Sequence, residues 1–215
     1  SSTQYWGYLD GKMLDFNQSS ERVSAMRWFV DETRRRWSLA GYKNLELIGF
    51  YCVSEALAVP GYGYSQDLKR WEDVYPAISK YVHSCNETMN WIPYFKAAGH
   101  QLWADFGFDY AMMQPNYFWH ANYNMNDFKT IIQKYGLSME FEFDDAVLET
   151  SEGYMDYRVR FNKYISLCQE LDLFRKRELS YYMGGNTLYN LKHSESAKDK
   201  EFYQLVCEFI NDSEH

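Results

Sequence analysis

The sequence predicts an α/β fold built on a parallel sheet, and three observations lead to it. Five strand-like stretches, at 45–53, 90–95, 108–113, 137–143 and 179–183, are each followed by a helical segment or a connection of helix length. That alternation is the repeat of a chain laying down parallel strands. One stretch, G-L-S-M-E-F-E-F-D at 136–144, sets Leu137, Met139, Phe141 and Phe143 on one face and Ser138, Glu140, Glu142 and Asp144 on the other, which is the period of a strand. Finally, Glu55, Gln114, Asn116, Glu142, Asp144 and Asn186 gather at the C-terminal ends of the strands, where parallel α/β sheets bind ligands.

The acids of 136–144 decide what kind of face this strand has. A half-exposed strand would turn Glu140, Glu142 and Asp144 to water. Helical segments on both sides instead place the strand in a covered parallel sheet, where neither face meets bulk solvent. If such a sheet closes into a barrel, the acidic face points along the barrel axis. Carboxylates crowded there shift one another's pKa values, a setting for acid and base chemistry.

The elements follow in order. Residues 1–18 read as an irregular segment, with Gly7, Asp10 and Gly11 as turn formers. A helix opens at Ser19 or Ser20, with Glu21 in its first turn; it repeats Val23, Met26, Val30, Thr33 and Trp37 and stops at Gly41. The mostly apolar run L-E-L-I-G-F-Y-C-V suits a strand buried on both faces, and Glu55 lies just past its end. A turn-rich loop displaying Tyr62 and Tyr64 leads into a helix carrying Trp71, Val74, Tyr75, Ile78, Val82 and Cys85. The strand at 90–95 is weakened by Pro93, and the connection from Phe95 to Phe108 is barely long enough for a parallel crossover. Phe128, Ile131, Ile132 and Tyr135 mark a helix ended by Gly136. After the acidic strand, Tyr154 to Leu171 reads as the longest helix; a last strand near 179–183 and a last helix through Phe202, Leu205, Val206 and Phe209 follow.

With 215 residues the chain suits one large domain, 1–215. Hydrophobic residues make up 46% and charged residues 24%, a globular balance, while 20 Tyr, 14 Phe and 7 Trp leave rings to spare for a flat, amphipathic ligand such as a sugar. A net charge of −8 argues against a nucleic-acid partner. Arg34, Arg35 and Arg36 form a basic triplet that falls on a helix face open to solvent. Cys52, Cys85, Cys168 and Cys207 show no C-x-x-C spacing and read as buried free thiols. No apolar run nears the roughly 20 residues that span a bilayer, and S-S-T-Q-Y-W-G is not a signal peptide. No phosphate-binding glycine motif follows any strand, and no cofactor is expected.

Four stretches carry a resemblance: G-Y-K-N-L-E-L-I-G-F-Y with Glu55, W-I-P-Y-F, G-F-D-Y-A-M-M-Q-P-N-Y-F, and G-L-S-M-E-F-E-F-D. In that order they resemble the bacterial family called domain of unknown function 4855, whose members look like glycoside-hydrolase TIM barrels. The similarity runs over about residues 7–210. It implies a (β/α)₈ TIM-barrel type in which this chain supplies the last five βα units, a partial barrel lacking its N-terminal strands. A glycoside-hydrolase-like protein of this kind is expected outside the cell, in the periplasm or at the cell surface.

The resemblance also implies roles. In retaining glycosidases of this type the acid/base ends the fourth strand and the nucleophile the seventh, positions that fall here on Glu55 and Glu142. Glu140 is the rival nucleophile, on the same face but about 7 Å deeper along the strand. Gln114, Asn116, Tyr117, Tyr182 and Asp144 would bind and orient a carbohydrate, with rings at 62–64 or 117–119 on the rim. A retaining pair stands about 5 to 5.5 Å apart and an inverting pair roughly 6.5 to 9.5 Å. The expected function is hydrolysis of a polysaccharide or glycan. The alternative is a non-catalytic carbohydrate-binding or structural barrel whose acids are held by Arg, Lys or amide partners. A metal site of Glu140, Glu142 and Asp144 is a minor third option, because strand spacing spreads the three too far to reach one ion easily.

Overall fold

Parallel strands alternating with helices make this a mixed α/β protein in the computed structural model, which describes residues 4–57 and 73–212. The chain divides into two compact units, Ser1–Trp91 with Lys96–Asp109, and Ile92–Phe95 with Tyr110–His215.

In the first unit, β1 (Tyr5–Leu9) and β2 (Lys12–Asp15) form an antiparallel hairpin, where the sequence reads as irregular. Asp10 and Gly11 make its two-residue turn at φ 51° and 79°, the pair of positive values that Asp-Gly turns supply and hairpin twist favours. Helix α1 (Ser19–Ala40) ends at Gly41 as expected and, at 22 residues, is longer than the helix expected to be longest. Arg34 Nε of α1 donates to Glu87 Oε1 at 2.9 Å, whereas Arg35 and Arg36 both turn to Glu32 on the exposed face. Their hydrogen bonds hold the Glu32 carboxyl down at about 2.

Strand β3 (Gly49–Cys52) pairs in parallel with β4 (Thr88–Trp91), and α2 (Val74–Ser84) precedes β4. Two expectations are corrected here. The run at 45–53 is not buried on both faces: Leu45, Ile48, Tyr51 and Val53 are exposed, and only four residues are strand. The strand expected at 90–95 starts two residues earlier and ends before Pro93, which cannot donate to a ladder. A turn-rich connection with a 3-10 segment, His100–Leu102, follows it instead of an α-helix. Ser79 Oγ donates to Phe106 O at 2.7 Å, and Trp91 stacks on Phe108 with centroids 5.6 Å apart, so this connection is closed over α2 and β4.

In the second unit β5 (Tyr110–Met113), β6 (Ser138–Glu142) and β7 (Ser180–Tyr182) are parallel neighbours in sequence order. Helix α3 (Met125–Tyr135) is capped by the Asn124 side chain, which accepts from Asn126 N. Helices α4 (Tyr154–Leu171), α5 (Leu173–Lys176), α6 (Thr187–His193) and α7 (Ala197–Asp212) follow, of which α5 and α6 are not expected from the sequence. All five residues of β6 are buried. Its apolar face meets helices: Phe141 packs on Phe161 of α4 and Phe209 of α7, and Phe143 on Phe161 and Phe202, with centroids 4.7 to 6.1 Å apart. Each buried ring contributes about 1.5–3 kcal/mol of transfer free energy. That packing turns the acidic side of β6 to its other face, as the alternation requires.

All four cysteines are free, as expected; Cys168 is buried and the others half-buried. Burial pushes the Cys168 thiol up to about 12. Among the described residues no helix is long and apolar enough to cross a membrane.

Candidate functional site

The carboxylate of Glu142 ends β6 with 1% of its surface exposed. Donors from Asn116 and Tyr164 aim it. The backbone N–H of Asn116 donates to Oε2 at 2.7 Å, the Asn116 side-chain amide to Oε1 at 3.2 Å, and the Tyr164 hydroxyl of α4 to Oε2 at 3.2 Å. Donors of this kind favour the ionised form of a carboxyl.

Asn116 presents both its donors because the loop beyond β5 is bent there. Its φ is 53°, in the left-handed region that Asn tolerates better than most residues. The side chain is oriented by Phe95 N–H, which donates to Asn116 Oδ1 at 3.1 Å, and its amide also reaches Gln114 Oε1 at 3.4 Å. Gln114 N–H in turn donates to Pro93 O at 2.8 Å. Gln114, Asn116 and Glu142, singled out by their positions at strand ends, are therefore one hydrogen-bonded group.

Asp144, two residues on, lies at an open pocket of about 520 Å³ with Asp145, Ala146, Ser151, Tyr182 and Gly184. Its Oδ1 accepts from Ala146 N–H and its Oδ2 from the Trp119 indole, both at 2.9 Å. Trp119 stands edge-on to Tyr182 with centroids 6.0 Å apart, and Tyr182 is 51% exposed. Gly184 (φ 48°) passes so close that a Cβ there would stand 2.5 Å from Asp144 Cβ. Asp145 accepts from Thr187 Oγ1 at 2.7 Å and Asn190 Nδ2 at 3.1 Å. Both aspartates thus take neutral donors. The buried acids elsewhere differ: Asp199 is paired with Arg158 at 2.6 Å and Glu87 with Arg34 at 2.9 Å.

The other expected site residues fall as follows. Glu140 is buried on β6, opposite Ser180 of β7. Tyr117 is buried against α4, where Lys163 donates to its hydroxyl and lies over its ring. Asn186 is exposed just before α6. Glu55 is exposed at the bend after β3, in the first unit. Tyr62 and Tyr64 lie outside the described residues. Among the described residues no group of three His, Cys, Asp or Glu side chains is placed to hold a metal ion.

Two participants escape a sequence reading. Tyr164 reads only as one apolar position of a helix, yet it is the phenol on Glu142. Trp119 reads as a rim ring, and its link is the indole hydrogen bond to Asp144. The first unit has an apolar groove of about 430 Å³ lined by no charged side chain, so the acids of the second unit mark the better candidate.

The fold and this site define a mixed α/β protein with carboxylates at the C-terminal end of a parallel strand, beside the exposed ring of Tyr182. Residues 1–208 match the model of the family described as Domain of unknown function (DUF4855), and the chain belongs to that family. No curated protein and no solved structure matches it.

Proposed function

We propose that this chain belongs to a glycoside hydrolase of the (β/α)₈ type, acting on a polysaccharide or glycan by a two-carboxylate retaining mechanism. The observation that carries the reading is Glu142, a carboxylate ending a parallel strand and held in one orientation by Asn116 and Tyr164. Two residues on, Asp144 opens into a pocket with the exposed ring of Tyr182. A nucleophile for the anomeric carbon needs its charged form and a fixed aim, and a sugar needs an aromatic face with acceptors at its edge. Glu142 takes the nucleophile role in this reading, with Glu140 as rival. Glu55 is the acid/base that the family resemblance implies. Gln114 and Asn116 orient, and Asp144 and Tyr182 belong to the sugar-binding side; Tyr117, expected there, is buried against α4 and takes no part.

A second reading, a non-catalytic carbohydrate-binding domain, is favoured by one observation, the 1% exposure of Glu142. Incubating the protein with a panel of glycans separates the two. Hydrolysis is expected for wild type, with a fall of about 10²-fold or more in Glu142→Gln and a loss in Glu55→Gln. Binding of a glycan without any release of sugar selects the second reading. Hydrolysis that persists undiminished in Glu142→Gln moves the nucleophile to Glu140.

A further inference from the structure

We propose that Tyr164 is a positioning residue for Glu142, its hydroxyl proton committed to the carboxylate by the backbone amide on its other side. The assignment of its role in turnover rests on the reading of Glu142 as nucleophile; the coupling between the two residues does not.

Packing alone does not require a tyrosine here. Residue 164 is fully buried, its ring set against Phe141 and Phe161 with centroids 6.2 and 6.5 Å away. A phenylalanine would fill the same space. The hydroxyl is the addition, and a buried hydroxyl is costly unless it is bonded. It accepts from Phe118 N–H at 2.6 Å and donates to Glu142 Oε2 at 3.2 Å.

The direction of these bonds follows from chemistry. An amide N–H can only donate, so the phenol oxygen is the acceptor there. An ionised carboxylate can only accept, so the single phenol proton points at Glu142. Phe118 lies two residues beyond Asn116, which donates to the same carboxylate. Tyr164 therefore joins α4, the loop beyond β5 and the end of β6 through one oxygen atom. Burial, and after it the facing Glu142 charge, holds the phenol above its ordinary range, so it stays a donor across the working pH range.

The consequence lies on Glu142. Removing a donor to the charged form raises the pKa of the acid that loses it. Among the described residues, other titratable or charged groups nearby include Glu140 and Asp144 on the same side of the strand, Tyr182 opposite Glu142 in the β6–β7 register, and Arg160 of α4, which donates to Phe118 O at 2.7 Å. Lys163, on α4, is turned to Tyr117. Tyr164→Phe leaves all of these in place.

The test titrates Glu142 by carbon-13 NMR of glutamate-labelled protein, with Glu142→Gln to assign its signal, in wild type and Tyr164→Phe. The pKa is expected to rise by about one unit or more in Tyr164→Phe, from the usual worth of a hydrogen bond to a charged group. The acidic limb of the hydrolysis profile should move up with it. A variant that is folded but titrates like wild type overturns the proposal and leaves Tyr164 a packing residue. If Tyr164→Phe does not fold, 3-fluorotyrosine at 164 keeps the ring and strengthens the donor. A downward shift supports the coupling, and an unchanged value refutes it. Failure of the wild type to hydrolyse any glycan would remove the proposed activity, while the NMR titration would still decide the coupling.

Discussion

Asn116 grips both oxygens of Glu142, one through its backbone N–H and one through its side-chain amide, and it does so from a left-handed backbone conformation. Two substitutions separate these features. Asn116→Gly keeps the backbone donor and the permitted φ, and loses the side-chain bonds to Glu142, Gln114 and Phe95. Asn116→Ala loses the same bonds and also strains the backbone, so urea denaturation should find it less stable than Asn116→Gly by about 1 kcal/mol. Equal stabilities would mean that the left-handed φ is not maintained.

Gly184 tests how closely the pocket is shaped. A Cβ at 184 would meet Asp144 Cβ at 2.5 Å and Asp144 Cα at 2.8 Å. Because one of these atoms is backbone, Gly184→Ala must displace the chain at Asp144. The expected loss is about 1–3 kcal/mol in chemical denaturation, with weaker binding of any glycan ligand. Wild-type stability and affinity would contradict the close approach.

The Arg158–Asp199 pair locks α4 to α7 at 2.6 Å, with 11% and 2% of the two side chains exposed. Arg158 also donates to Val147 O and Lys198 O, and Asp199 also accepts from Glu149 N–H. Replacing Arg158 by Met leaves a buried carboxylate without its cation. The cost should be about 3–5 kcal/mol by urea unfolding, far above the usual effect of removing a surface charge.

His100 gives the first unit a pH dependence of known sign. It is buried, its Nδ1 lies 2.7 Å from Ala97 O, and desolvation lowers its pKa from the ordinary 6.5. A depressed histidine stabilises the fold fully above the unfolded value and loses that contribution as pH falls through the folded one. Thermal stability measured from pH 7 downward should therefore fall below about 6.5, and more steeply in wild type than in His100→Gln. Parallel curves would rule His100 out as the cause.

The acidic strand was legible because strict alternation over 137–144 has one physical meaning, and its apolar half does pack on α4 and α7. The position of Gln114 and Asn116 near the end of a strand was legible, and the structure hydrogen-bonds them to Glu142 as one group. Other features were not. A continuous apolar run such as L-I-G-F-Y-C-V looks alike whether one face or two are covered, so the exposure of Ile48 and Val53 was hidden. The Asp-Gly turn at 10–11 carried the hairpin signal, but Gly7 interrupts the strand pattern before it. T-L-Y-N-L-K-H is too short, with buried Thr187 and Leu191 alone, to announce α6. Tyr164 bonds a carboxylate 22 positions away, and helical periodicity carries no information about such a partner.

Covalent trapping tests most directly the proposal that Glu142 is the attacking carboxylate. A substrate that is hydrolysed in the glycan panel would be converted to its slow 2-fluoro glycosyl analogue and mixed with the protein, and the modified peptide located by mass spectrometry. A retaining mechanism through Glu142 predicts one added glycosyl group on the peptide that contains it, absent from Glu142→Gln. A glycosyl group on Glu140 or Asp144, or rapid hydrolysis of the parent glycan with no trapped species at all, would contradict it.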